Sequence, residues 1–288
     1  MSASGETTPA AMTGSRRWSD LGTRTASAVV MVILALATTH KGGALFVLFW
    51  LAASVAILWE WQRLIGGTML FARVSIGSVV LAFAALYASR LDAMLAILIV
   101  VVGAAAMAAL AGSGKRVWAA GGMLYAGLLL VAVASLRESF PFGARSIVWL
   151  FATVWATDCF AYFGGRLIGG PKLWPRISPS KTWSGTMTGV IAGGLIGSYV
   201  ALRGLPEPWA VGPILLLSFA TAALSQAGDA LESGIKRHFG VKDSSRLIPG
   251  HGGIMDRLDG FVAASIFALA VGLIRNVPSI AGGLFYWA

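Results

Sequence analysis

Nine apolar runs follow one another along the chain, at about 26–39, 43–65, 74–89, 91–112, 117–136, 145–168, 184–203, 209–235 and 258–275, separated by short polar segments. A helix needs about 20 apolar residues to cross the hydrocarbon core of a bilayer. Water is absent there, so backbone N–H and C=O groups must pair within the segment, which restricts such runs to helices. The expected fold is an all-α polytopic membrane protein with about nine transmembrane helices and a polar active site facing the cytoplasm. Only 12% of the 288 residues are charged, whereas soluble domains carry about 25%. The 36 glycines suit helices that pack closely in lipid.

Residues 1–20 are rich in small and polar side chains and read as a disordered tail. The run 26–39 follows Arg16, Arg17 and Arg24, as the apolar core of a signal peptide would. No small-x-small cleavage site comes after it, so it is expected to remain as a membrane helix. Residues 21–140 then form a set of N-terminal helices, and 141–288 a catalytic membrane region. Nine spans place the termini on opposite sides of the membrane. Sixteen of the 22 cations fall on the N-terminal side, which assigns that side and both long polar loops to the cytoplasm. The net charge of +10 is accounted for by orientation and by anionic phosphate ligands, and no nucleic acid is expected as a partner. Cys159 is the only cysteine, which excludes an intrachain disulfide and a cysteine-rich metal site.

The chemistry concentrates in Ser225–Gly260, which holds five of the twelve acids (Asp229, Glu232, Asp243, Asp256, Asp259) and five cations (Lys236, Arg237, Lys242, Arg246, Arg257). A charge at bilayer depth costs roughly 2.5–3.5 kcal/mol on insertion scales, so this clustering points to a site. Asp229, Glu232, Ser233 and Lys236 are spaced to share one helical face. Two carboxylates and a hydroxyl make a hard-oxygen pocket suited to Mg²⁺; a salt bridge from Glu232 to Lys236 is the plainer alternative. Asp256 and Asp259 stand at the entrance of the last span, where they would either complete the metal site or cap the helix. The two aspartates 229 and 256, 27 positions apart, are expected to converge on one ion. Gly252 and Gly253 would bring backbone N–H groups close to phosphate oxygens, and His251 would either donate to phosphate or cap the turn.

Asp158, Tyr162 and Arg166 lie along one face of an apolar span. The loop after it carries Lys172, Arg176 and Lys181 with Ser178, Ser180 and Thr182. Lys181, between two hydroxyls, is expected to reach substrate; Lys172 and Arg176 also fit simple positive-inside charge. His40 and His238 belong to no constellation and read as interfacial. Trp59, Glu60 and Trp61 read as an interfacial anchor, with Glu60 paired to Arg63.

Ser233–Asp259, SGIKRHFGVKDSSRLIPGHGGIMDRLD, resembles the signature of the phosphatidate cytidylyltransferases (CDP-diacylglycerol synthases). TDCFAYFGGRLIGG, ISPSKTWSG and SQAGDALES are similar to other segments of that family, so the likeness spans about 155–260. One departure is Ser180 and Ser184, where the family usually has Lys and Glu; this leaves Lys181 alone in its role. The resemblance implies transfer of the cytidylyl group of CTP to phosphatidic acid, with Mg²⁺ and room for a second cation, in a homodimer bathed in membrane lipids. Asp229 and Asp256 match the metal-binding aspartates, with Ser233 in the same site. Lys181, Lys236, Arg237, Lys242 and Arg257 would act on the phosphates. Asp158, Arg166, Ser178, Thr182, Asp243, His251, Gly252 and Gly253 would bind substrate, with Glu232 and Asp259 supporting the ligands from behind. Two other readings stay open: a CTP-dependent lipid or polyprenol kinase, and a transporter of an anionic solute.

Overall fold

The computed structural model describes residues 13–90, 92–203, 210–248 and 252–287, with side chains from residue 25 onward. The helices in chain order are α1 (Thr13–Lys41), α2 (Gly43–Ile65), α3 (Leu70–Ala88), α4 (Ala93–Leu110), α5 (Arg116–Glu138) and α6 (Gly143–Leu167). An antiparallel hairpin follows, β1 (Lys172–Trp174) with β2 (Ser178–Thr182). The chain continues through α7 (Trp183–Leu202), α8 (Val211–His238), α9 (Met255–Arg275) and the short α10 (Gly282–Phe285). Eight helices, α2 to α9, are long and apolar enough to cross a membrane, and the apolar part of α1, Thr25–Lys41, is shorter. This is an integral membrane protein of the all-α polytopic class.

Two expectations change at the ends of elements. The proposed tail 1–20 is helical from Thr13, because Arg16 to Leu21 contains no glycine or proline and continues the helix as a polar extension ahead of the apolar run; residues 1–12 lie outside the described residues. The segment after α6, read as a loop, closes as the β1–β2 hairpin, with Lys172 opposite Thr182 and Trp174 opposite Ser178.

In α5, 61% of the most apolar window is buried, against 28–44% in the other seven spans. It is therefore the central post of the bundle. Its small residues permit this: a methyl added at Gly127 would lie 2.5 Å from Val100 Cγ1 of α4, and one at Gly122 would press into the Trp61 indole of α2.

The α6–α7 pair rests on the same logic. Gly185, Gly189, Gly193 and Gly197 recur every four residues, one stripe down α7. They face a matching row on α6, Thr153, Thr157, Ala161 and Gly165. Helices in lipid gain most of their association from close packing, which such small residues allow. Gly228 of α8 and Gly260 of α9 mark a second close crossing: an added Cβ would meet the Asp259 carbonyl at 2.8 Å and the Ser225 carbonyl at 2.9 Å, respectively. The residues next to these glycines in sequence, Asp229 and Asp259, are thereby brought to the same level. Stacked rings, Trp50 on Phe261 and Phe151 on Phe261, both with centroids 5.2 Å apart, tie α2 and α6 to α9.

At one end of the bundle the α2 C-terminus is held by cations, as its dipole favours. Arg73 donates to Gln62 Oε1 at 2.8 Å and to the Gly66 carbonyl at 2.7 Å. Lys115 donates to the Ile65 carbonyl at 2.6 Å. His238, at the end of α8, stacks on Trp118 at the start of α5. The end of α2, the start of α5, the β-hairpin and the α8–α9 loop thus share one face.

Candidate active site

The described parts of the α8–α9 loop, residues 239–248 and 252–254, are folded around two buried carboxylates. Asp256 accepts from Lys236 Nζ at 2.7 Å, from the Ser244 backbone N–H at 3.0 Å and hydroxyl at 3.0 Å, and from the Gly253 N–H at 2.8 Å. Glu60, in the last two turns of α2, accepts from the Ser245 hydroxyl at 2.6 Å and from the backbone N–H groups of Ile254 and Met255 at 2.9 and 2.7 Å. The first N–H groups of a helix have no partner within it, and that end carries partial positive charge. Glu60 supplies both the acceptor and the negative charge for α9. This is why α9 begins at Met255, three residues before the expected 258.

This arrangement corrects the reading of Glu60 as an interfacial anchor. Glu60 is fully buried, and Arg63 lies over the Trp59 ring instead of beside it. Sequence reasoning missed its role because its partners lie 184–195 residues away; a lone acid at the end of an apolar helix was the available signal. The role expected of Gly253 changes, and Gly252 gains a structural one. The Gly253 N–H is engaged by Asp256 and is not free for a phosphate. Gly252 sits at φ +84°, and a Cβ there would lie 2.7 Å from Asp256 Oδ2. Both glycines exist to let the loop close on its carboxylates.

Beside this brace lies a polar groove. Lys181 of β2 forms an ion pair of 2.5 Å with Asp229 of α8 and reaches Gln226 Oε1 at 3.4 Å. Gln226 in turn reaches Asp158 of α6 at 3.5 Å, and Ser233 donates to Asp229 at 3.4 Å. Asp259 of α9 stands within electrostatic range of Asp229, Glu232 and Asp158. Arg257 is exposed at the start of α9, within range of Asp158. Lys236 bridges Glu232 at 2.7 Å and Asp256 at 2.7 Å, so the plainer reading of the Glu232–Lys236 pair is realised and extended to a second acid.

Five carboxyl groups therefore face three cationic side chains, Lys181, Lys236 and Arg257. Among the described residues no set of three or more His, Cys, Asp or Glu side chains forms a ready cation cage. The donor chemistry still fits a hard divalent cation: Asp229, Asp259, Glu232 and Ser233 present oxygen atoms in an acid-rich groove, and Mg²⁺ takes few protein ligands and keeps waters. Asp256 fits less directly, because its oxygens are occupied by Lys236 and the loop.

Two side chains that the sequence did not mark belong to this groove. Gln226 lies three residues before Asp229, on the same face of α8. Tyr125 of α5 packs against Trp61 in a tilted ring pair with centroids 5.2 Å apart. Its buried hydroxyl has no hydrogen-bond partner among the described residues, and it stands near Asp259, Glu232, Asp229 and Asp256.

Other expected site residues fall elsewhere. Thr182 is buried and caps α7, its hydroxyl oxygen accepting the Gly185 N–H at 3.1 Å. Arg166 is exposed and donates to the Tyr162 hydroxyl at 2.9 Å. Arg237 donates to the Val241 carbonyl at 3.0 Å. Ser178 pairs within the hairpin, and Ser184 donates to the Gly169 carbonyl. Lys242 and Asp243 line a separate cavity with Arg63 and Arg246. His251 lies outside the described residues.

Residues 22–274 match a family described as the cytidylyltransferase family. A phosphatidate cytidylyltransferase of Brucella abortus is 40% identical over 272 residues, covering 93% of this chain and 99% of the relative. One of Brucella melitensis is 41% identical over 270 residues with the same coverage. One of Staphylococcus saprophyticus is 46% identical over 127 residues, 44% of this chain and 48% of that protein.

Proposed function

From the premise that the chain belongs to the cytidylyltransferase family, we propose that it transfers the cytidylyl group of CTP to phosphatidic acid, giving CDP-diacylglycerol and pyrophosphate. It is a membrane nucleotidyltransferase of phospholipid biosynthesis. The observation that carries the site assignment is the meeting of Lys181, Asp229 and Asp259, from three separate segments, in one polar groove among apolar helices.

In this reaction a phosphatidate oxygen attacks the α-phosphorus of CTP. The new P–O bond forms as the bond from that phosphorus to the β-phosphate oxygen breaks, and pyrophosphate leaves with the electron pair. A phosphomonoester has its second pKa at about 6, so the nucleophile is largely ionised near neutral pH and needs no strong base. The barrier lies in joining two polyanions and stabilising the leaving group. Lys181, fixed by Asp229 and Gln226, orients the phosphatidate headgroup. Arg257, exposed at the head of α9, is placed to neutralise the nucleotide phosphates. Lys236 holds Glu232 and Asp256 together, and so keeps the loop in shape while the substrates bind.

Asp229, with Ser233, Asp259 and Glu232 nearby, would hold Mg²⁺, which neutralises phosphate charge when bound; the same acids leave room for a second cation. The cation-rich side carries the hairpin and the α8–α9 loop, which supports a cytoplasmic site, with the C-terminus across the membrane. A homodimer is the assembly that the family resemblance implies.

Purified protein incubated with labelled CTP, phosphatidic acid and Mg²⁺ tests the proposal. Label in the lipid with release of pyrophosphate is expected. Release of CDP with a phosphorylated lipid would identify a kinase, and no turnover would favour a transporter.

A further inference from the structure

A cavity of about 450 Å³ opens between the end of α2 and the α8–α9 loop, lined by Arg63, Lys242, Asp243, Ser244, Ser245 and Arg246. Three cations converge here on one acid. Two like charges 4 Å apart repel by roughly 1 kcal/mol even in water, so such a cluster calls for a counterion. Several loop cations are engaged, Arg73 and Lys115 on the α2 C-terminus, Arg137 on the Thr39 carbonyl and Arg275 on the Gly283 and Tyr286 carbonyls; what marks this cluster is that three cations line one cavity. Among the described residues Arg63, Lys242 and Arg246 have no hydrogen-bonded or ion-paired partner, and Arg63 rests only on the Trp59 ring, 5.2 Å away.

The cavity also touches the loop's brace. Ser244 lines it and donates to Asp256, and Ser245 lines it and donates to Glu60. An anion bound here would sit one residue from both carboxylates that hold the loop and the head of α9.

We propose that this cavity is a phosphate-binding site, built by Arg63 together with Lys242 and Arg246, for a pyrophosphate or phosphate-ester group. Arg63 supplies a planar guanidinium fork suited to two phosphate oxygens. The site would receive either the polyphosphate end of the nucleotide or the headgroup phosphate of an anionic lipid. The choice between these sources rests on the proposed cytidylyl transfer; the binding of phosphate does not.

Binding is measured on the full chain in neutral phosphatidylcholine nanodiscs, without divalent cation, by equilibrium dialysis of labelled inorganic pyrophosphate. Arg63→Ala and Arg246→Ala should each weaken binding about fivefold or more, and Arg63→Lys by less. Lys41→Ala, on the opposite face, should leave it unchanged. A parallel arm replaces part of the neutral lipid with phosphatidic acid: protection of the protein from thermal unfolding by that lipid, lost in Arg63→Ala while pyrophosphate binding is retained, assigns the cavity to a lipid phosphate. If Arg63→Ala and Arg246→Ala alter neither pyrophosphate binding nor protection by phosphatidic acid, the cavity binds no phosphate. A wild-type chain that binds pyrophosphate through Arg63 but makes no CDP-diacylglycerol would keep the cavity's assignment and overturn the proposed reaction.

Discussion

The Glu60 carboxylate and the Met255 backbone N–H lie 2.7 Å apart in space and 195 residues apart in sequence. An N-terminal helix thus caps the helix that carries Asp256 and Asp259, and the first half of the chain is part of the site. Leaving a buried donor unpaired costs about 1–3 kcal/mol. Glu60→Ala strands the N–H groups of Ile254 and Met255 and should lower stability by about 3 kcal/mol in total, with transfer activity reduced at least tenfold. Glu60→Gln, which keeps an acceptor and loses the charge, should fall between. Thermal unfolding and a transfer assay on the same preparations check this; an unchanged Glu60→Ala would mean that the loop folds without its brace.

Lys181 is held by Asp229 at 2.5 Å. Hydrogen bonds to charged groups contribute about 1.5–3 kcal/mol. Lys181→Ala should therefore raise the half-saturating concentration of phosphatidate by roughly ten- to a hundredfold, with a smaller change for CTP. Steady-state kinetics in mixed micelles with each substrate varied separately give the comparison, and a larger effect on CTP would reassign the hairpin to the nucleotide.

Tyr125 separates activity from stability. Its hydroxyl is buried without a partner among the described residues, so Tyr125→Phe should leave the melting temperature unchanged or raise it, by the equivalent of up to about 1 kcal/mol. If the hydroxyl serves ligands in the acidic groove, kcat should still drop several-fold. A variant with full activity would assign Tyr125 to packing on Trp61 alone.

The α6–α7 contact carries Asp158 on one helix and leads from Lys181 into the other. A methyl at Gly189 would lie 2.6 Å from the Thr157 carbonyl, and overpacking of this kind costs about 1–3 kcal/mol. Gly189→Ala should lower thermal stability and activity together. A control at Gly212, where an added methyl meets nothing within 4 Å, should change neither.

Most of the helices are legible in the sequence because hydrocarbon permits few alternatives: the run 43–65 is α2 residue for residue. The face shared by Asp229, Glu232 and Lys236 is legible too, since its spacing is local to one helix. Glu60 and Tyr125 are not, because what defines them is contact with segments far along the chain, set by how α2 and α5 pack. The division of the cations is hidden for the same reason. Lys236 and Lys242 lie six residues apart, yet one bridges two buried acids and the other lines an open cavity.

The most direct test of the account is cytidylyl transfer by Asp229→Asn, measured as labelled lipid and released pyrophosphate at ordinary Mg²⁺. The substitution keeps the size of the side chain and removes the charge that holds Lys181 and would hold the cation. The account predicts at least a hundredfold loss in a protein that still folds, with wild-type producing CDP-diacylglycerol and pyrophosphate in equal amounts. Near-normal transfer by Asp229→Asn would contradict it.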